Sequence, residues 1–381
     1  MQSVYAFKQS KQSDYHIAID LIKESFAPDL NSMEFQDKKV LDNNKKEAVR
    51  LFEEYYQTDN IKVSQGISDV VQNVASEALT YYKQLVKKDF EFFRKQMLSE
   101  TEKINDYYIR FLLLLIEWAE LSQVEQERNS QKAGRILPVG ALNFHNNKII
   151  HRFVNSKALK IDAIKSNLDW VEERENVRQW FKEILLKDEA YQEYLKVDSP
   201  TFQQDKQILL HIVKNMIFKN EALQSYWEEA DINWTENKSI LKSMVQKTIK
   251  SIAEDGLESE PQLVELSGNW EDDRDFFLTL FSECIKHDDQ YQALISKKAK
   301  NWDVERIAAT DRVILEMALC EMINFPSIPV KVSINEYIDI SKIYSTPKSK
   351  QFVNGLLDVL AEELQEEGII KKSGRGLIDN K

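Results

Sequence analysis

"STPKSKQFVNGLLDVL", residues 345–360, decides how the chain reads. Ser345, Thr346 and Pro347 form a helix-start signature, because a hydroxyl side chain caps orphan amides and proline's fixed φ suits the first helical position. At 100° per residue, Val353, Leu356, Leu357, Leu360 and, just beyond, Leu364 fall on one face, while Phe352, Gly355 and Val359 line its edge. That spacing makes an amphipathic helix and not a strand. Gly355 is unusual there. A glycine inside a helix costs about 1 kcal/mol relative to alanine, which predicts that something comes close to this edge. Lys348 and Lys350 stand just before it.

Helical periodicity extends outward from this stretch over nearly the whole chain, and nine glycines and seven prolines in 381 residues leave few tight turns. The expected fold class is all-α, with length enough for about two domains. Cys284 and Cys320 lie within apolar helical patterns, as buried free thiols of a reducing compartment do. The start "MQSVYAFKQS" lacks the pattern of a signal peptide, and the longest apolar run, "FLLLLI" at 111–116, is far too short to span a bilayer. A cytoplasmic protein without membrane contact is expected. The net charge of -12 argues against indiscriminate nucleic-acid binding, which rests on clustered cations. Residues 327–352 nevertheless carry a local charge of +2, from four lysines against Glu336 and Asp339. A basic patch on an acidic chain favours a specific partner.

Three interruptions break the helical pattern: 133–144, 197–202 and 254–270. The third combines two glycines, a proline and a cluster of acids, as a domain linker does. The expected organisation is therefore an N-terminal helical domain over 1–265, a C-terminal helical domain over 266–368 and a flexible basic tail over 369–381. A weak repeat aligns 205–234 without gaps onto 273–302.

"WDVERIAATDRVILEMALCEM", residues 302–322, predicts a central, mostly buried helix with Ile307, Asp311, Ile314, Leu315, Ala318 and Met322 on one arc. Asp311 lies in the middle of that arc, so a cationic or backbone partner is expected. "NFPSIPVKV" (324–332) is a proline-bracketed loop that leaves Lys331 exposed, and Ser333 and Glu336 have the spacing of a capping box. No catalytic constellation emerges. His16, His145, His151, His211 and His287 are scattered without metal-ligand spacing, and phosphate-binding glycine loops and a nucleophile elbow are missing. Neither catalysis nor a cofactor is expected.

"TDRVILEMALCEM", "SIPVKVSINEYIDISKIYS" and "SKQFVNGLLDVL" together resemble, in order and spacing, the C-terminal half of the NusB family of bacterial transcription antitermination factors. The resemblance covers roughly 270–364, and "MQSVYAFKQS" is similar to the family's first helix. Residues 30–265 depart from the compact family pattern and read as a helical enlargement. The resemblance implies an all-helical fold of two small bundles, no catalysis, and binding to boxA RNA of ribosomal RNA leader transcripts. It also implies a heterodimer with the small-subunit ribosomal protein NusE within an antitermination complex on RNA polymerase. Carried onto this sequence, it implies that Phe352 stacks on a base, that Lys331, Lys348 and Lys350 meet phosphates, and that Ser349 and Asn354 hydrogen-bond RNA. Asp311 and Arg312 match the acid-basic pair near which the ribosomal protein docks. Two features depart from the family. Its arginine-rich stretch before the first helix is lacking or lies upstream of Met1, and Glu316 stands where many relatives carry a basic residue, which weakens electrostatic binding. These departures support an alternative, a helical protein-interaction scaffold that has lost RNA recognition.

Overall fold

A computed structural model of the chain describes residues 1–31, 33, 35–57, 66–134, 136, 138–254, 260–298 and 308–378, and among them it contains fifteen α-helices and no strand. The chain divides into two units, Met1–Leu98 with Glu271–Lys381, and Ser99–Trp270. This division differs from the expected single domain over 1–265. Val4 and Phe7 of helix α1 (Gln2–Ser25) are buried in one cluster with Leu280 and Phe281 of α11 (Trp270–Lys286) and with the helices that follow. Periodicity tells which face of a helix is apolar but not which distant segment covers it.

In the first unit, α12 (Asp288–Lys298), α13 (Ala309–Asn324), α14 (Val330–Tyr344) and α15 (Ser349–Glu366) complete this core. Helix α13 is its centre. Every residue from Val313 to Met322 is buried, as an all-round apolar helix requires. Residues 302–307 of the run predicted for this helix lie outside the described residues. A smaller core joins Ala18, Ile22 and Phe26 of α1 to Leu51 and Phe52 of α2 (Lys38–Tyr55) and to the start of α3 (Asp69–Ala133). Asp37 opens α2 by accepting from the Lys39 amide at 2.9 Å.

The second unit takes the rest of α3 and seven further helices, from α4 (Lys148–Asn155) to α10 (Trp234–Ser251). Its core buries Trp118, Trp170, Trp180, Trp227 and Trp234 together. Beyond α3 the chain turns at Gly140, whose φ is +81° and where a Cβ would lie 2.3 Å from the Leu195 carbonyl oxygen. Only glycine fits such a position. The sequence repeat has a structural counterpart. Helix α8 (Phe202–His211) runs on through a π-helical turn, Ile212–Ile217, and precedes α9 (Glu221–Ala230); α11 and α12 begin and end at nearly the same repeat positions.

The segment expected to be a flexible tail is anchored as far as it is described. Ile370 is buried, Lys372 Nζ donates to the Phe325 carbonyl at 3.0 Å, and the Ser373 amide donates to the Pro326 carbonyl at 2.9 Å. At Gly376 a Cβ would meet that same Pro326 oxygen at 2.0 Å, so this close approach requires a glycine.

Candidate functional site

Helix α13 carries buried carboxylates at Asp311, Glu316 and Glu321, and their partners organise the site. At its start, Asp311 accepts from the hydroxyls of Ser345 and Ser349, the latter at 2.7 Å. The expected cationic or backbone partner of Asp311 is thus replaced by two serines from the neighbouring turn. Ser345 and Thr346 do not cap the helix as predicted. Helix α15 begins at Ser349, and both hydroxyls lie against the Ser349 hydroxyl, at 2.8 and 2.9 Å. At the far end of α13, Glu321 accepts from Ser333 at 2.7 Å and from Tyr337 at 3.0 Å, and burial pushes its carboxyl up from the usual range. Ser333 therefore sits inside α14, which begins at Val330 after Pro329, and the capping box predicted for Ser333 and Glu336 does not form. A buried acid offers these hydroxyls a stronger partner than a backbone amide does.

Between these ends, Glu316 is fully buried and bound to Lys8 of α1, whose Nζ also lies 2.5 Å from Asp288. Burial pushes the Glu316 carboxyl up to about 7 against the opposing pull of Lys8. Its Oε1 has no hydrogen-bond partner among the described residues. Glu316 thus lies in the interior, paired with Lys8, and not among exposed groups as the expectation from the sequence requires. Lys8 was missed there. Its signal was a cation one helical turn from Val4, on the apolar face of α1.

The residues expected to meet RNA fall into different environments. Lys348 and Lys350 are exposed at the start of α15. Ser349, between them, is only 5% exposed and its hydroxyl is committed to Asp311, so it does not present a group to a ligand. Phe352 is half-buried against the apolar core, and Asn354, also half-buried, donates to Asp358 at 2.9 Å. Gly355 is exposed, and a Cβ there would meet nothing within 4 Å. The described residues thus leave the predicted close approach unfilled, and Val359, 50% exposed, continues the open edge one turn on. Lys331 is exposed at the start of α14, whereas Lys348 follows that helix's end. Fifteen helical residues span about 22 Å, so Lys331 stands apart from the other two lysines. Asp311 is joined directly to Ser349, and Arg312 beside it is half-buried.

Among the described residues no group of three histidines, cysteines or acids could hold a metal ion, and no helix is long and apolar enough to cross a membrane. Cys284 and Cys320 are free and buried.

A family model described as "NusB family" matches residues 239–362. The match begins within α10, upstream of the stretch on which the resemblance was first read. The transcription antitermination protein NusB of Salinibacter ruber is 47% identical over 105 residues, which cover 28% of this chain and 66% of that protein. The protein of the same name from Chloroherpeton thalassium is 42% identical over 106 residues, 28% of this chain and 50% of its own length. That from Koribacter versatilis is 43% identical over 97 residues, 26% of this chain and 66% of its own. The chain thus spans half to about two thirds of the length of these relatives. A solved structure of NusB from T. maritima covers 42% of this chain and 91% of its own at 20% identity, with a TM-score of 0.24, too low a likeness to bear on the fold. The C-terminal part of the chain, with α13, α14 and α15, thus matches the NusB family over 239–362.

Proposed function

We propose that this chain is an RNA-binding transcription antitermination factor of NusB type, acting in the cytoplasm with a NusE-like small-subunit ribosomal protein on boxA RNA, within an antitermination complex on RNA polymerase during ribosomal RNA transcription. It would bind without catalysis or a cofactor. The observation that carries the reading is the open edge of α15, where the exposed Lys348 stands one turn before the half-buried ring of Phe352 and the uncovered Gly355 and Val359, with Lys350 exposed in the same first turn. Single-stranded RNA is held by aromatic stacking and by cations along its backbone, and this edge supplies both. Asn354 would release Asp358 to read a base. Lys331 would meet a more distant phosphate. Asp311 would act on the protein partner by holding Ser345 and Ser349, and Arg312 would contact it.

A second reading, a protein-interaction scaffold without RNA recognition, is favoured by the commitment of Ser349 to Asp311 and by the net charge of -12. Titrating fluorescent boxA RNA and a scrambled RNA with the chain, alone and with the ribosomal protein, separates the two. The antitermination reading requires selective boxA binding that tightens with the partner; partner binding without RNA selectivity leaves the scaffold. Replacing Phe352 with alanine should cost about 1–3 kcal/mol of RNA affinity at an unchanged salt slope. Replacing Lys348 and Lys350 should instead flatten log K against log salt by about one unit for each phosphate lost.

A further inference from the structure

The chain has two cysteines, and they meet inside the first unit. Cys284 lies on α11 and Cys320 in the buried stretch of α13, both within the same core. Cys320 Sγ donates to the Leu280 carbonyl oxygen at 3.8 Å. In an α-helix that carbonyl also accepts from the amide four residues on, which is that of Cys284. The Cys320 sulfur is thus held against the turn of α11 that carries Cys284, and the Cys284 thiol hydrogen-bonds to it.

Two features set this pair apart from thiols that only fill space in a core. The first is that donors gather on one sulfur. Asn324 Nδ2 lies 3.6 Å from Cys320 Sγ and 3.0 Å from the Tyr291 hydroxyl, which itself bonds that sulfur. Hydrogen bonds from Cys284, and then from Tyr291 and Asn324, hold the Cys320 thiol below its usual range against the opposing effect of burial. A lowered thiol is the one that becomes a nucleophile. The second feature is access. A cleft of about 470 Å³ is lined by Tyr291 and Asn324 together with His287, Leu294 and Ile369. The side chains that bond the sulfur therefore also wall an opening that a small molecule can enter. A structural metal does not account for the pair, since it would take further ligands, and among the described residues no group of three histidines, cysteines or acids could hold one.

We propose that Cys284 and Cys320 are a peroxide-oxidisable dithiol, closed to a disulfide between α11 and α13 by hydrogen peroxide that enters through this cleft. The Cys320 thiolate attacks one peroxide oxygen, so that an S–O bond forms as the O–O bond breaks, and the departing hydroxide takes the proton that Cys320 released and leaves as water. The Cys284 sulfur then attacks the sulfenic sulfur of Cys320. An S–S bond forms as the S–O bond breaks, and the Cys284 proton leaves with the hydroxide as a second water. Two thiols lose two electrons in all, and one peroxide is reduced to two waters. In a reducing compartment such a bond is transient and reports on oxidant. The inference is independent of the RNA edge on α15, because none of its residues belongs to that edge.

Treating the folded full chain with hydrogen peroxide, then counting thiols in denaturant and mapping peptides by mass without reductant, tests it. Both thiols should disappear together within single chains, joined in one Cys284–Cys320 peptide pair, and dithiothreitol should restore both. Cys284→Ser should stop at a sulfenic acid on Cys320 that dimedone traps, whereas Cys320→Ser should lose its remaining thiol at least tenfold more slowly. Ile369→Trp, which fills the cleft, should slow oxidation of the pair tenfold or more, with unfolding midpoints measured on every variant to establish that it folds. Thiols that stay reduced in the folded chain, oxidation to sulfinic or sulfonic acid without a disulfide, or reaction only once urea has unfolded the chain overturns the proposal. A sulfenic acid trapped on Cys284 in Cys320→Ser at the native rate overturns the order of attack. An undiminished rate in a folded Ile369→Trp variant overturns entry through the cleft.

Discussion

The two units hold their interiors together by different balances of rings and buried acids, for the second unit also buries Asp205 and Asp231. In the second, tryptophan rings dominate: Trp227 and Trp234 stack at 5.6 Å, Phe111 lies 4.7 Å from Trp227, and buried hydroxyls pair with one another, as Tyr108 does with Thr248 at 2.6 Å and Ser122 with Tyr191 at 2.7 Å. In the first, the central helix α13 carries three buried carboxylates at five-residue intervals, each answered from a different segment. Rings contribute area and tolerate alternatives, whereas a buried acid is costly until one particular partner arrives. The family's motifs lie where the second means operates. The acids of the first unit join α13 to α1, to α14 and to the start of α15.

The largest effect that could break this comparison is at Trp227. Its removal by Trp227→Ala should cost about 3–5 kcal/mol in urea unfolding, since a fully buried ring leaves a cavity that the surrounding rings fill poorly. A loss below about 1 kcal/mol would mean that the aromatic cluster repacks freely.

The acids of the first unit should reveal themselves through pH. Glu316 titrates near 7 when folded and near 4.5 in its model-compound form, so the folded state holds the extra proton between these values. Stability from this group is full below about 4.5 and is lost as pH rises through about 7, by up to about 3 kcal/mol at 1.4 kcal/mol per unit. Urea midpoints measured from pH 5 to pH 8 should fall more steeply for the native chain than for Glu316→Gln. Parallel curves would show that Lys8 keeps Glu316 ionised throughout.

A smaller loss is expected at the Asp311 end. Asp311→Ala removes the acceptor of two serine hydroxyls and should cost about 2 kcal/mol, in the range of hydrogen bonds to a charged group. If the serines act through Asp311, the loss should shrink in a Ser345→Ala/Ser349→Ala background, which a double-mutant cycle measures. The smallest effect sharpens the comparison by its sign. Gly355→Ala meets open space and should stabilise the fold by about 0.5–1 kcal/mol. The same substitution should weaken binding if a ligand approaches this edge as closely as a helical glycine suggests.

Much was legible from local pattern. The helical character, the buried face of α15 through Val353, Leu356, Leu357, Leu360 and Leu364, and the buried centre of α13 follow from 3.6-residue periodicity, which needs no knowledge of the partner segment. The family motifs were likewise visible, because their residues lie close together in the chain. Caps were less legible. Ser333 with Glu336, and Ser345 with Thr346, have the right residues at the right spacing, yet their serines serve buried acids from α13.

Sequence alone determined which segments are helices, which faces they bury and which family the last third resembles, since these depend on residues within a turn or two of one another. Only the tertiary structure decided that residues 1–98 fold with the C-terminal helices, that Lys8 answers Glu316 across 308 positions, and that Ser349 is turned inward while Gly355 stays open. A buried charge is settled by whichever group reaches it in space, and chain separation carries no trace of that distance.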